Sequence, residues 1–376
     1  MSRAKSSSQK SSDQKSATAP IHDIEKELKD GFAGLESDLA RLAKKYKQHF
    51  SEVLLHSDSA ALAEVLERRL QQGFAFVMNL ATTSNSDRAE LAFMKTLAGP
   101  LSEVLSFDLL KSVLSRISLD FGGADVDEFG MDSVLVEQIK PFFDFLYYKY
   151  WRVQTTGLEN IPNTGKALIV GNHSGTLPYD GAMLAAAIRN EHPTERTARF
   201  LVENFVYHMP VLGSLMYRIG GIRACPENAE RLLNKNHLVI VFPEGVKGIG
   251  KYYKDRYKLQ RFGRGGFIKL CIKTGSPLIP VGIVGAEEIH PILFKSNILA
   301  KTLGVPYIPV TPTFPLLGVL GLIPFPSQWA IHFGKPISFE SYSDDTLNQE
   351  ITIHKLSEMV RSQIQGILLD LLKERG

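Results

Sequence analysis

A histidine and an aspartate lie seven residues apart, directly after a short apolar run. Ala167 to Val170 has the composition of a buried strand, and His173 and Asp180 follow its carboxyl end. Ligands bind at that end of the strands in open α/β sheets, and a histidine can take a proton from a hydroxyl group at cellular pH. Asp180 can orient the imidazole and stabilise its charge. The residues alone also allow a second interpretation, in which Asp180 caps the helix from Gly181.

Two further segments carry residues suited to binding a substrate. Gly220-Gly221-Ile222-Arg223 places a guanidinium after a flexible turn, where it can bind a phosphate or carboxylate. By spacing alone, however, Arg223 fits a surface ion pair better than a binding site. Phe242-Pro243-Glu244-Gly245 ends a second apolar strand in a tight turn, and Pro277 to Val284 forms a third apolar run.

Taken in order, these segments resemble the glycerolipid acyltransferase superfamily, which includes the lysophosphatidate acyltransferases. The resemblance extends from about Arg152 to Ile337, and its signal is the order of the Asn-His-Ser-Gly, Gly-Ile-Arg and Phe-Pro-Glu-Gly blocks. It implies that His173 is the general base and Asp180 its partner. It also implies an acceptor site, whose expected residues are Arg223, Glu244, Gly245, Asn172, Ser174 and Gly175. The last three place backbone N–H groups beside the base, where they could help to hold an oxyanion.

The sequence departs from the superfamily pattern at one point. The usual first motif is a histidine, four residues and an aspartate, but here Pro178 stands in that place and Asp180 comes two residues later. This form is similar to the branch that includes monoacylglycerol and diacylglycerol acyltransferases. We therefore expect transfer of a fatty acyl group from acyl-CoA or acyl-carrier protein to a hydroxyl of a lysophospholipid or related glycerolipid. The alternative acceptor is a neutral alcohol, such as a mono- or diacylglycerol, and no metal or other cofactor is expected.

Three other classes of protein match parts of the sequence. Ser174 lacks the flanking glycines of a serine-hydrolase nucleophile. Gly245 to Lys251 matches most of a nucleotide-binding phosphate loop, but Tyr252 replaces the hydroxyl residue that should bind magnesium. A non-catalytic lipid-binding protein is the third alternative, and it would need neither the histidine nor the aspartate.

The composition is that of an ordinary globular protein. The chain has 376 residues, a net charge of +3, 44% hydrophobic and 22% charged residues. Its two cysteines, Cys225 and Cys271, indicate no disulfide framework or metal cluster and fit a reducing compartment. No apolar stretch is long enough to span a bilayer, and the N-terminus lacks the apolar core of a signal peptide. We expect a cytoplasmic protein that is bound peripherally to the inner face of a membrane.

A run of basic residues with interleaved aromatic residues follows Gly245. Such a run is usually a solvated face, but here it can bind the phosphates of an acyl carrier or anionic lipid headgroups. Together with the proline-broken apolar segment Phe314 to Phe325, it predicts membrane binding that weakens with salt. No nucleic-acid-binding signature accompanies it, and the oligomeric state stays open. The basic members are Lys247, Lys251, Lys254, Arg256, Lys258, Arg261, Arg264 and Lys269, and the aromatic members are Tyr252, Tyr253, Tyr257 and Phe262.

Alternating strands and helices after Trp151 supply the elements that must position these residues. They predict an α/β domain with a mostly parallel sheet flanked by helices. The expected strands are Arg152–Gly157, Ala167–Gly171, Arg199–Val202, Leu238–Phe242, Leu278–Val284 and Trp329–Phe333. The expected helices are Gly181–Ile188, Pro210–Ile219, Ala229–Lys235 and Gly265–Thr274.

We divide the chain into four parts. Residues 1–20 are expected to form a disordered tail, 21–150 a helical accessory region, 151–340 the acyltransferase domain and 341–376 a C-terminal helix. Apolar residues recur at helical spacing from Ile24 to Val53, and further helices are expected at about Ala60–Leu80, Asp87–Leu97 and Leu101–Ile117. A last accessory helix, about Asp132 to Tyr150, is rich in aromatic residues, which fit core packing or a belt at a membrane interface.

Overall fold

The computed structural model describes residues 126–209, 212–296, 300, 305–314 and 321–375. The expected N-terminal tail and the helices expected between Ile24 and Ile117 lie outside these residues. The middle of the apolar segment Phe314 to Phe325 also lies outside them.

A seven-stranded sheet forms the centre of the described fold. The strands of the described residues, in this sheet and in a second, two-stranded one, are β1 (Gln154–Thr156), β2 (Ala167–Gly171), β3 (Ala198–Val202), β4 (Gly221–Arg223), β5 (Leu238–Val241), β6 (Leu278–Val284), β7 (Phe294–Ser296), β8 (Ile308–Val310) and β9 (Ala330–Phe333). All but β7 and β8 form one sheet in the order β1-β9-β6-β2-β5-β3-β4. Strands β6, β2, β5, β3 and β4 are parallel, whereas β9 is antiparallel to β6 and β1 is parallel to β9. The predicted mostly parallel sheet is therefore confirmed.

Helices connect the parallel strands and cover both faces of the sheet. They are α1 (Ser133–Asp144), α2 (Tyr179–Glu191), α3 (Asn204–Tyr207), α4 (Leu212–Arg218), α5 (Pro226–Asn234), α6 (Val246–Ile249), α7 (Gly266–Thr274) and α8 (Glu350–Arg375). A π-helical turn, Phe145–Tyr150, continues α1. Short 3-10 turns lie at Leu158–Asn160, Tyr253–Asp255, Ala286–Glu288 and Asp344–Asn348.

Two apolar layers hold the sheet, because successive residues of a strand point to opposite faces. On one face, Ile169 of β2 belongs to the same buried cluster as Met183 of α2 and Trp151. On the other face, Leu168 belongs to a cluster with Ile364 of α8. All of these side chains are fully buried, and each contributes roughly 1.5–3 kcal/mol relative to an exposed position.

Only some of the aromatic residues at the end of the helix before β1 are buried in the core. Tyr147 and Trp151 are fully buried, and Trp151 donates its indole N–H to the Phe325 carbonyl at 3.1 Å. Phe142 and Phe145, in contrast, are 55% and 54% exposed. Within the described residues, no helix combines the length and the apolar character needed to cross a bilayer.

Candidate active site

His173 and Asp180 are joined by a direct hydrogen bond at the carboxyl end of β2. The loop after β2 folds back onto the first turn of α2, which brings His173 Nδ1 to 2.6 Å from Asp180 Oδ2. Asp180 is only 1% exposed, whereas the His173 side chain is 17% exposed. Because a carboxylate accepts and does not donate, the shared proton belongs to Nδ1. Nε2 of His173 is then the nitrogen that can accept a proton from a substrate.

Asp180 does not cap α2. The helix begins at Tyr179, with Pro178 in the cap position, so Asp180 lies inside the first turn. Its Oδ2 accepts the Ser174 N–H at 2.9 Å as well as the imidazole, and its Oδ1 accepts the Gly181 N–H at 2.7 Å. The capping interpretation is therefore wrong, and the longer loop allows the pairing despite the unusual spacing.

Phe242 and Gly248 contact the His173 side chain, and neither contact was predicted from the sequence. The ring stacks on Phe242, with centroids 4.5 Å apart and an angle of 8° between the planes. A Cβ on Gly248 would lie 2.8 Å from the His173 Cβ and 2.7 Å from the Glu244 Cβ, so only glycine fits there. Phe242 belongs to the Phe-Pro-Glu-Gly block and could have been considered from the sequence. The close approach of Gly248 to His173, in contrast, depends on tertiary packing.

Glu244 contacts the loop that carries His173. Its Oε1 accepts the His173 backbone N–H at 2.9 Å, and its Oε2 accepts the Gln260 N–H at 2.6 Å. The Lys251 ammonium is 3.3 Å from Oε2. Glu244 is 4% exposed, so both oxygens are engaged inside the protein. The carboxylate that the resemblance assigned to the acceptor thus holds the backbone of His173.

A second carboxylate completes this buried charge cluster. Lys251 Nζ lies 2.8 Å from Glu287 Oε1, and Glu287 Oε2 accepts the Tyr257 N–H at 2.9 Å. Burial raises the pKa of Glu287, although Lys251 acts in the opposite direction. Because Lys251 is buried between two carboxylates, it is not available to the phosphates of a nucleotide, as the phosphate-loop alternative requires.

The basic run after Gly245 is not one continuous exposed face. Lys251 is buried as described, and Tyr257 and Phe262 are core residues. Burial raises the pKa of the Tyr257 phenol, as does the Glu288 carboxylate, which accepts a hydrogen bond from the phenol O–H at 2.7 Å. The expectation of a solvated face holds for the exposed members, which are Lys247, Lys254, Arg256, Lys258, Arg261 and Arg264.

Arg223 lies at the same edge of the sheet as His173. It ends β4, three strands from β2, which is roughly 14 Å between backbones. The side chain is exposed, and its Nε donates to Asn204 Oδ1 at 2.7 Å. Arg223 lines a groove of about 570 Å³ together with Tyr207 and Arg231.

The remaining predicted residues have backbone and packing contacts. The Asn172 amide donates to the Ile283 carbonyl at 3.0 Å and accepts the Ile283 N–H at 2.8 Å, so it ties β2 to β6. The Ser174 N–H is engaged by Asp180, and the buried Ser174 hydroxyl has no hydrogen-bond partner among the described residues. Among the described residues, no base is therefore hydrogen-bonded to the Ser174 hydroxyl, as a serine hydrolase would need. Gly175 and Gly245 adopt positive φ angles of 79° and 54°, which favour glycine.

Comparison with known proteins gives one family. Residues 152–284 match the family model described as Acyltransferase, which lies within the region of the resemblance. The chain is 44% identical to an uncharacterized protein of Mycobacterium leprae, over 74% of this chain and 76% of that protein. It is 26% identical to the bovine "DGAT1/2-independent enzyme synthesizing storage lipids", over 56% of this chain and 58% of the bovine enzyme.

Among solved structures, the chain is similar to that of the 1-acyl-sn-glycerophosphate (LPA) acyltransferase PlsC from Thermotoga maritima. The TM-score is 0.42 and the identity 18%, over 63% of this chain and 79% of that one. This likeness is too distant to support an argument about substrates.

Proposed function

The chain belongs to the acyltransferase family, and we propose that it transfers a fatty acyl group from acyl-CoA or acyl-carrier protein to a hydroxyl of a lysophospholipid or related glycerolipid. The observation that carries this proposal is the 2.6 Å bond between His173 Nδ1 and Asp180 Oδ2 at the carboxyl edge of the parallel strands. That bond leaves a basic nitrogen, His173 Nε2, on a side chain that is partly exposed.

The chemical step needs one base and no metal or cofactor besides the thioester. His173 Nε2 removes the proton of the acceptor hydroxyl, and the oxygen attacks the thioester carbonyl carbon. The new C–O bond gives a tetrahedral intermediate, which collapses as the C–S bond breaks. The thiolate then takes the proton from the imidazolium, and the base is restored. Asp180 stabilises the imidazolium between these steps, as a buried carboxylate does in a hydrolase triad.

The acceptor side of the site is assigned to Arg223. Its guanidinium is exposed at the same sheet edge and beside an open groove, and such a group binds a phosphate in a bidentate manner. An arginine side chain is long enough to cover about half of the distance between the two backbones. This supports a lysophospholipid, whose anionic headgroup and reactive hydroxyl are close together.

A neutral alcohol is the second candidate acceptor. Pro178 departs from the usual motif in the manner of the mono- and diacylglycerol branch, and the bovine relative is named for the synthesis of storage lipids. A neutral acceptor has no phosphate for Arg223 to bind. The variant Arg223→Gln therefore separates the two candidates, because it should raise the KM of a phosphate-bearing acceptor and leave that of a neutral alcohol unchanged.

We place the enzyme on the inner face of a membrane, bound from the cytoplasmic side. The exposed basic residues after Gly245 can interact with anionic headgroups, at about 1 kcal/mol for each nearby charge. Phe142 and Phe145 are each more than half exposed and can enter the interfacial region.

The decisive experiment is a transfer assay with purified protein and labelled acyl-CoA. The acceptors are lysophospholipids, monoacylglycerols and diacylglycerols, and His173→Ala is the inactive control. We expect ester formation with at least one of these acceptors and a loss in the control. If the wild-type protein esterifies none of them from either acyl-CoA or acyl-carrier protein, the proposal is wrong.

A further inference from the structure

We propose that the cleft beside His173 binds the phosphopantetheine arm of the acyl donor, with its phosphate held by Lys295 and Arg256. This inference rests on the proposed function and adds the position of the donor. The arm is common to acyl-CoA and acyl-carrier protein, so the inference applies to both donors.

The cleft is lined by the loop after His173 and by the segment that follows α6. One end is formed by Gly175, two residues after His173, and by Gly248, which packs against the His173 Cβ. The other end is formed by Tyr252 and Arg256. The cleft is narrow, with about 10 Å³ of free space, so the rim side chains must move when an arm enters.

Lys295 contacts Tyr252 of the cleft lining and is held by two aromatic rings. Its ammonium lies 4.7 Å from the centre of the Tyr252 ring and 5.1 Å from that of the Tyr307 ring. Within the described parts of the chain it has no carboxylate partner, unlike Lys251, which pairs with Glu287. Ring faces position a cation without using its N–H groups. Lys295 therefore keeps its donors for an external anion.

Arg256 lines the cleft and is likewise held by a tyrosine ring. Its guanidinium carbon lies 4.4 Å from the centre of the Tyr253 ring, and Nη1 donates to the Tyr253 carbonyl at 3.2 Å. The side chain is exposed and forms no ion pair with the described residues. Two cations that are both supported by tyrosine rings and lack carboxylates form a suitable site for a phosphate.

The separation of this site from the base fits the arm. A Cβ on Gly250 would lie 3.0 Å from Lys295 Nζ, and Gly248 has the similar close approach to His173. Gly248 and Gly250 are two residues apart, so their own separation is short. Added to it, the two contacts limit the distance between Lys295 Nζ and the His173 Cβ to at most about 14 Å. An extended phosphopantetheine spans about 16 Å from phosphorus to sulfur by standard bond lengths. A phosphate at Lys295 can thus present its thioester to the base.

The two cationic sites lie on different sheets of the fold. Arg223 ends β4 of the seven-stranded sheet, whereas Lys295 is on β7, which pairs with β8 outside that sheet. A transferase must hold two substrates at once, with the donor carbonyl and the acceptor hydroxyl meeting at the base. We assign the Lys295 side to the donor because the acceptor already has Arg223.

His290 offers a hydrogen bond along the cleft. Its Nε2 lies 2.9 Å from the Leu322 carbonyl, which only accepts, so Nε2 carries the proton. Nδ1 is then an acceptor, and it is buried without a partner among the described residues. Burial also lowers the pKa of His290, which keeps the imidazole neutral. An amide N–H of the pantetheine arm would satisfy this nitrogen.

The test is calorimetric binding of CoA, 4′-phosphopantetheine and pantetheine to the full-length protein. Lys295→Gln and Arg256→Gln should each weaken the two phosphate-bearing probes by about 10- to 100-fold and leave pantetheine binding unchanged. The control is Lys273→Gln, which removes an equal charge from a lysine that is paired with Glu230 at 2.7 Å. This control should bind all probes as the wild-type protein does.

Steady-state rates then distinguish donor from acceptor. In Lys295→Gln, the KM for the acyl donor should rise while the KM for the acceptor stays constant. A rise in the acceptor KM alone would assign Lys295 to a lipid headgroup and overturn the inference. Unchanged affinities for CoA and phosphopantetheine in a protein that carries both Lys295→Gln and Arg256→Gln would also overturn it. The same holds if the wild-type protein binds neither probe. Binding that depends on Lys295 in a protein that transfers no acyl group would instead refute the proposed function and support the donor site.

Discussion

Asp180→Asn removes one negative charge from the site while keeping the shape of the side chain. In the wild-type structure, Oδ2 accepts N–H groups of His173 and Ser174, and Oδ1 accepts the N–H of Gly181. Asparagine offers only one acceptor oxygen, so its amide group must face an N–H donor on one side. An unsatisfied buried donor costs about 1–3 kcal/mol, and we expect the free energy of unfolding to fall by that amount.

The effect on catalysis should be much larger than the effect on stability. The imidazole can avoid the clash by moving its proton to Nε2, but the nitrogen that faces the substrate then no longer accepts a proton. The charge that stabilises the imidazolium is also lost. We expect kcat/KM to fall by about 10³- to 10⁴-fold, which corresponds to about 4–5.5 kcal/mol in the activation free energy.

The assay combines initial rates over a range of acceptor concentrations with thermal unfolding of the same preparation. Asp370→Asn is the matched control, because Asp370 is exposed on α8 and its ion pair within the described part of the chain is with Lys373. It should retain both activity and melting temperature. If folded Asp180→Asn kept a near-wild-type kcat/KM, His173 would work without this carboxylate, and the inference from the 2.6 Å bond would be refuted.

Four other predictions follow from the site and the surface. His173→Ala should lose at least about 10²-fold in kcat with its circular dichroism spectrum unchanged; retention of kcat would contradict its role as base. Lys251→Met leaves Glu244 and Glu287 without a counter-ion and should lower the free energy of unfolding in urea by about 3–5 kcal/mol; an unchanged midpoint would show that the cluster is not coupled. Burial raises the pKa of Glu287, so the folded state retains a proton on this carboxyl at pH values just above 4.5, where the unfolded state has lost it. The free energy of unfolding should therefore fall as the pH rises from 4.5 to the pKa of the folded state, and Glu287→Gln should flatten this fall. The protein should sediment with anionic vesicles at low salt and be released at high salt; resistance to alkaline extraction would contradict peripheral binding.

The strands at the site could be read directly from the sequence. Ala167–Gly171 and Leu278–Val284 are observed with the predicted bounds, because short, fully buried apolar runs bounded by turn residues have few alternatives. Strand β4 was not predicted, since it has three residues and begins at a glycine that indicated a turn. Its place in the sheet is set by pairing with β3.

The pairing of His173 with Asp180 could also be predicted from the sequence. The two residues are close in the chain and flank the end of a recognisable strand, so a local loop is enough to bring them together. Only the structure could decide between the pairing and the helix cap, because that choice depends on where α2 begins.

The roles of Glu244 and Lys251 were decided by tertiary structure alone. A glutamate in a turn and a lysine in a basic run both have the sequence context of exposed residues. Lys251 is nevertheless buried, because Glu287 meets it from a loop 36 residues away. Local sequence determines which segments can form strands and helices, but the burial of a charge depends on partners that only the folded chain brings together.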